Sequence, residues 1–315
     1  MDVENVIIIG SGPAGLSAAV YASREDFKPL LITGTVAGGQ LLLTTMVENI
    51  PGFPDGIMGP EFIDRMTKQA ERFGTRFVHE DVVSVDFSSR PFKVSTETVE
   101  YLAKSVIIAT GANPKTLGIP SEAKFMGKGV STCATCDGPF FKGRDVVVVG
   151  GGDTAMEDSF FLTKFCSSVI IVHRRGEFRA SKIMQQRVLS SPKIKVVWNS
   201  VVEEILGDEA AGKVSGVRVR DVNTNETSMI KAGGVFMAIG HEPSTKFLRG
   251  ALPLDELGYI VTQAEVLTGI EGIFVAGDNA DRYYRQAGTA AGSGIKAALH
   301  AREYLQVLES KQPGA

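Results

Sequence analysis

The sequence predicts an α/β protein of two three-layer domains, the second inserted into the first. Three observations predict it. A β-branched strand, a glycine turn and an alanine-rich helix open the chain from Asn5. The same strand–turn–helix pattern returns from Asp145. Two further segments of like composition, "KSVIIATGANP" and "GGVFMAIGHEP", bracket that second copy. The length of 315 residues suits about two domains.

In the first copy, Val6 to Ile9 run directly into Gly10-Ser11-Gly12-Pro13-Ala14-Gly15. The spacing is G-x-G-x-x-G. The first glycine makes the turn, the second admits a pyrophosphate to the backbone, and the third lets helix pack on strand. The helix N-terminus then faces the phosphates. The next strand, "PLLITG", ends in Thr33-Gly34 with no acid. The usual ribose carboxylate is missing there, and another group, such as backbone of "TVAGGQ", has to take its place.

In the second copy, Val146 to Val149 lead into Gly150-Gly151-Gly152-Asp153-Thr154-Ala155. The strand that follows, "SSVIIVHRR", ends in His173-Arg174-Arg175, with Arg179 one helical turn further on. An acid at that strand end favours NAD. Guanidinium groups pair with a 2′-phosphate and favour NADP.

The bracketing segments read as two crossings, Gly111 to Pro114 and Gly240 to Pro243. They divide the chain into residues 1–113 with 244–315, and an inserted domain of residues 114–243. After the second crossing, "GIFVAGD" ends in Gly277-Asp278. A short carboxylate at a strand end suits a ligand hydroxyl such as a flavin ribityl chain, the alternative being a helix cap.

Inside the inserted domain stands Cys133-Ala134-Thr135-Cys136-Asp137. Zinc needs about four ligands. This pair supplies two, and the histidines are scattered at 79, 173, 241 and 300. A structural disulfide closing so small a loop adds little stability. A redox pair is favoured, with Asp137 placed to hand a proton to the leaving thiolate if burial raises its pKa. Cys166, in "SFFLTKFCSS", reads as a small buried residue. A nicotinamide delivers hydride and a disulfide accepts electrons by thiolate chemistry, so a flavin between them is expected. The electron order is then NADPH, FAD, disulfide.

Composition narrows the setting. Hydrophobic residues make up 43%, charged residues 22%, and the net charge is −3. There is no basic stripe for a nucleic acid. The start "MDVENVIIIG" has no cationic n-region, and the apolar runs are too short to span a bilayer. Three cysteines and no signal peptide lead us to expect a cytoplasmic protein. The tail "ESKQPGA" reads as flexible.

Taken together, the stretches "GSGPAGLSAAVYASR", "AGGQL", "ENIPGFP", "IIATGA", "CATCDG", "VVGGGDTAMED", "VHRRGEFRASK", "AIGHEP", "VAGD" and "YYRQAGTAAGSG" closely resemble low-molecular-weight thioredoxin reductases. They cover nearly the whole chain, in order. The resemblance implies two Rossmann-like domains, a discontinuous FAD domain and an inserted NADPH domain, in a homodimer. It implies that Ser11 to Ala14, Gln40, Asn49, Asp278 and Arg285-Gln286-Ala287 contact FAD. Gly152, Asp153, Thr154, His173, Arg174, Arg175 and Arg179 would contact NADPH. Cys136 would exchange electrons with the flavin, Cys133 would attack the substrate disulfide, and Asp137 would be the general acid/base. Both the cysteine pair and NADPH must reach one flavin ring, so rotation of the inserted domain about its two crossings is expected. The chain departs from the family at the partner surface. Pro139 replaces the first of the aromatic residues that follow "CDG", ahead of Phe140 and Phe141, and Lys128 stands where an arginine is common. A glutaredoxin-like partner is the alternative to thioredoxin. Among rival enzymes, a flavin dithiol oxidase would not need the arginines and the intact "GGGDTA" turn, and a ferredoxin–NADP reductase should lack the cysteine pair. A redox-sensing module would bind flavin without sustained turnover.

Overall fold

The computed structural model describes residues 2–311. The chain divides into two compact units, Met1–Asn113 with Glu242–Ala315, and Pro114–His241. The two crossings, Ala112–Pro114 and His241–Pro243, pair as a two-stranded sheet.

The first unit is built on a sheet in the order Arg76–Val78, Leu30–Ile32, Val3–Ile9, Glu100–Ile108, Phe92–Thr96, Val82–Asp86, with Ile273–Val275 also pairing parallel to Glu100–Ile108. The strand Val3–Ile9 runs parallel to both its neighbours and is covered on both faces. Successive side chains of a strand point to opposite faces. Val6 and Ile8 join a core with helices α1 (Pro13–Arg24) and α7 (Ala287–Ser310). Ile7 and Ile9 join a second core with Phe92, Val94 and Leu248. Each fully buried Ile or Val of this kind contributes about 1.5–3 kcal/mol. Small residues let α1 and α7 approach closely: a Cβ on Gly294 would sit 2.0 Å from the Ala14 carbonyl oxygen. Helix α2 (Gly59–Arg72) packs on α1. Because α7 runs through Ser310, Glu309 and Ser310 are helical rather than flexible, and residues 312–315 of the expected tail lie outside the described residues.

The second unit has a fully parallel sheet in the order Val130–Ser131, Gly234–Ala238, Asp145–Gly150, Ser168–Val172, Ile194–Val197. A three-stranded antiparallel sheet, Ser200–Asp208, Lys213–Asp221 and Thr227–Lys231, forms the other layer. The alternation repeats here. Val146 and Val148 face a core shared with Leu162 and Val188 of helices α5 (Asp153–Leu162) and α6 (Lys182–Leu189). Val147 and Val149 face a core shared with Val202, Val217 and Val219 of the antiparallel layer. Two short helices complete the unit, α3 (Pro120–Phe125) and α4 (Ala134–Asp137).

Candidate active site

In the first unit the glycine turn is shaped by what surrounds it. A Cβ on Gly10 would meet the Ala109 carbonyl oxygen at 2.3 Å, and one on Gly15 would meet the Gly10 oxygen at 1.9 Å. Both glycines are therefore demanded by packing. Gly12 is different. It precedes α1 with φ −73°, and a Cβ there would meet nothing within 4 Å. No protein atom requires glycine at this point, so the open cradle fits a ligand that approaches the backbone. Pro13 is the first residue of α1, and Ala14 is buried behind it.

Ser11 turns its hydroxyl inward. Its side chain is buried, donating to the Thr33 carbonyl at 3.1 Å and accepting the Gly38 N–H at 2.8 Å. The hydroxyl is spent holding two loops together, and the backbone of the turn is what remains to face a ligand. Those loops bring Gly39 to within contact of Gly12. Gln40 donates to the side-chain oxygen of Asn113 at 2.7 Å, and Asn49 donates to the side-chain oxygen of Gln286 at 3.1 Å. Gln286 caps α7 in a reciprocal capping box with Thr289. Arg285 precedes it and Ala287 begins the helix. Gly111 adopts φ 66° and accepts the Ser244 N–H.

Asp278 follows Gly277, whose φ of 80° sets it beside Ala14. It caps no helix, since α7 begins at Ala287. Its Oδ1 is buried without a hydrogen-bond partner among the described residues. Burial, with help from Asp281 and against the pull of Arg285, pushes its carboxyl up to about 7. An orphaned buried acceptor of this kind fits a ligand hydroxyl. Sequence reasoning missed its neighbour Asn279, fully buried, which donates to the Ile108 carbonyl and also leaves its Oδ1 unpartnered among the described residues. It also missed Asp81, which accepts both the N–H and the hydroxyl of Thr35. That acid arrives from the neighbouring strand's end and occupies the place where "PLLITG" has none.

In the second unit Gly152 repeats the logic of Gly12. It precedes α5, and a Cβ there would meet nothing within 4 Å. A Cβ on Gly150 would meet the Ala238 oxygen at 2.3 Å. Asp153 accepts the Ser181 N–H at 2.8 Å, and Thr154 follows it in the first turn of α5. Arg174, Arg175 and Arg179 are exposed, and none forms an ion pair with a described residue. Three unneutralised guanidinium groups beside an open glycine turn fit a phosphorylated ribose.

The His173 side chain is held inside the unit. It is only 5% exposed, with Nδ1 3.0 Å from the Gly150 carbonyl oxygen and Nε2 2.9 Å from that of Glu177. Burial lowers its pKa, and its ring lies where a Cβ on Gly151 would stand. The ring braces the glycine turn against the arginine loop. The Arg179 N–H, donating to the Gly151 oxygen at 2.8 Å, makes the same connection.

Cys133 and Cys136 are joined as a disulfide, with Cα atoms 5.3 Å apart. Cys133 caps α4, and its Sγ accepts the Cys136 N–H at 3.2 Å. Thr135 brings a hydroxyl to the same sulfur at 3.3 Å. Buried Ser131, missed by sequence reasoning, accepts the Cys133 N–H at 3.0 Å and so fixes the start of the loop. Burial raises the pKa of Asp137, partly offset by the Ser131 hydroxyl. A carboxyl held nearer neutrality can donate a proton as well as take one. Phe141 is buried against Phe236, whereas Phe140 is 41% exposed. Cys166 is buried, and burial pushes its thiol up to about 11. Among the described residues no cluster of His, Cys, Asp and Glu could hold a metal ion.

The family described as pyridine nucleotide-disulphide oxidoreductase matches residues 4–294. The chain is 53% identical over 319 residues to thioredoxin reductase 2 of Arabidopsis thaliana, covering 98% of this chain and 83% of that one. It is 53% identical over 302 residues to thioredoxin reductase of Rickettsia bellii, covering 95% and 97%. Among solved structures, thioredoxin reductase from Giardia duodenalis aligns with a TM-score of 0.92 at 42% identity over 96% of this chain and 98% of that one. That of Streptococcus pyogenes aligns with 0.92 at 40% identity over 97% and 99%.

Proposed function

The chain belongs to the pyridine nucleotide-disulphide oxidoreductase family, and on that footing we propose which of its residues carry the reaction. It is a flavoprotein that uses NADPH and FAD to reduce the disulfide of thioredoxin. The observation that carries the residue assignment is the Cys133–Cys136 disulfide with the half-buried Asp137 next in the chain, its pKa raised chiefly by burial.

The first unit holds FAD. The backbone of the Gly10–Gly15 turn and the N-terminus of α1 take the pyrophosphate, Asp278 takes a hydroxyl of the ribityl chain, and the segments around Gln40, Asn49 and Arg285–Ala287 complete the cradle. The second unit holds NADPH at Gly152 and the start of α5, with Arg174, Arg175 and Arg179 on the 2′-phosphate. When bound, FAD would supply the two-electron chemistry that joins nicotinamide hydride to a disulfide. Cys136 would receive that electron pair with one proton, leaving Cys136 as a thiol and Cys133 as a thiolate. Cys133 as thiolate then attacks one sulfur of the partner disulfide. That S–S bond breaks, and the departing partner thiolate takes the proton of Asp137. Cys136 next attacks the Cys133 sulfur of the mixed disulfide, restoring the internal disulfide; the second partner sulfur leaves as a thiolate and takes a proton from solvent, so the partner is released as a dithiol. Asp137 recovers its proton from the Cys136 thiol as that sulfur attacks. The inserted unit turns about its two crossings between the half-reactions, and exposed Phe140 belongs to the surface that meets thioredoxin.

The same reading makes the protein a cytoplasmic homodimer, which light scattering and cell fractionation test. Among the described residues no helix is long and apolar enough to cross a membrane. The residue assignment is tested by NADPH oxidation started with oxidised thioredoxin, with Cys136→Ser alongside. Consumption that depends on thioredoxin and vanishes in the variant is expected. Consumption that survives the substitution and ignores thioredoxin means electrons pass to oxygen, and the assignment fails.

A further inference from the structure

The two sulfurs of the redox pair are not equivalent in their hydrogen bonding. The Cys133 Sγ accepts the Cys136 N–H at 3.2 Å and faces the Thr135 hydroxyl at 3.3 Å. Among the described residues no such donor serves the Cys136 Sγ. A hydroxyl against sulfur is a modest contact while the sulfur is half of a disulfide. Once the bond is reduced and the sulfur carries charge, the same contact becomes charge-assisted and roughly doubles in strength.

We propose that Thr135 is a catalytic residue of the disulfide exchange, its hydroxyl holding Cys133 as the thiolate that attacks the partner. Thr135 sits between the cysteines on α4 and is itself exposed, so its hydroxyl reaches the sulfur from the solvent side. The elements packed most closely on α4 are α5 and the turn Gly138–Phe141. The turn carries no charge. The charged groups of α4 and α5 are Asp137, Asp153, Glu157 and Asp158, all acids. A negative neighbour opposes a thiolate. The hydroxyl of Thr135 and the N–H of Cys136 supply the donors that such a charge needs at Cys133. They also direct the charge to Cys133, leaving Cys136 the thiol that resolves the mixed disulfide.

The proposal rests on the assignment of Cys133 as the attacking sulfur, and the experiment separates the two. The holoenzyme is reduced with NADPH without oxygen, and Cys133 alkylation by iodoacetamide is followed against pH by mass spectrometry. Thr135→Val keeps the shape and removes the hydroxyl. Thr135→Ser restores it. The proposal expects Thr135→Val to move the Cys133 profile to higher pH and to slow both its alkylation and thioredoxin reduction at neutral pH by about tenfold. Thr135→Ser should recover most of both, with flavin reduction by NADPH unchanged in either variant. A Thr135→Val profile that superimposes on the parent overturns the proposal. In parallel, Cys136→Ser should trap thioredoxin on Cys133. If Cys133→Ser traps it on Cys136 instead, the underlying assignment falls, and the role of Thr135 with it.

Discussion

Replacing Asp278 by asparagine perturbs the ligand-free protein and its flavin complex in opposite directions. In the ligand-free fold Asp278 Oδ1 is buried and unpartnered among the described residues, and the carboxyl is pushed from 3.8 up to about 7, chiefly by burial. The folded chain therefore holds this proton more tightly than the unfolded chain does. As pH rises from the unfolded value towards the folded one, each unit costs the folded state about 1.4 kcal/mol. The interval from 3.8 to about 7 sums to about 4 kcal/mol, lost in full above the folded value. Asp278→Asn abolishes this linkage. The ligand-free variant should be more stable than its parent above neutral pH by up to about 4 kcal/mol, with the gain fading below about pH 4. With FAD bound the sign reverses. A hydrogen bond to a charged acceptor is worth about 1.5–3 kcal/mol, so the variant should bind FAD roughly 10- to 150-fold more weakly. Urea unfolding of the ligand-free proteins across pH measures the first effect, and flavin fluorescence titration the second. A stability difference that does not change with pH, or an unchanged FAD affinity, refutes the reasoning.

Other substitutions separate scaffold from cradle. Gly12→Ala should leave ligand-free stability within about 1 kcal/mol, since nothing lies within 4 Å of its Cβ, yet weaken FAD binding at least tenfold. Gly15→Ala, whose Cβ would overlap the Gly10 oxygen at 1.9 Å, should lower the melting temperature of the ligand-free chain itself. Replacing Arg174 and Arg175 together by alanine should raise the KM for NADPH about tenfold or more while leaving that for NADH nearly unchanged, as steady-state kinetics would show. Cys166, with its buried thiol pushed up to about 11, should resist iodoacetamide at pH 8 in the folded protein and react only after denaturation, read by mass spectrometry.

The local grammar of this fold was legible in the sequence. The four-residue runs Val6–Ile9 and Val146–Val149 announce buried strands, and the glycine spacing after each follows from a tight turn that any chain must solve the same way. The antiparallel layer of residues 200–231 was not legible, because register shifts after Val202 and Leu206 break the alternation of Ser200–Asp208, and Thr227–Lys231 buries none of its residues. At the site, spacing marks the two glycine turns but does not say where side chains turn. Ser11 and His173 stand at ligand-facing positions in the chain, yet both fold inward to satisfy buried carbonyl and amide groups. Ser131 and Asp81 carry no motif of their own. They matter through neighbours that the fold supplies, Cys133 in one case and Thr35 in the other.

The electron path through the cysteine pair is tested most directly by a single turnover. Enzyme would be mixed without oxygen with one equivalent of NADPH, quenched with an alkylating agent before and after adding oxidised thioredoxin, and mapped by mass spectrometry. The predicted result is alkylation at both Cys133 and Cys136 before thioredoxin, and its loss as thioredoxin acquires two thiols. Thioredoxin reduced while Cys133 and Cys136 stay joined throughout would contradict it.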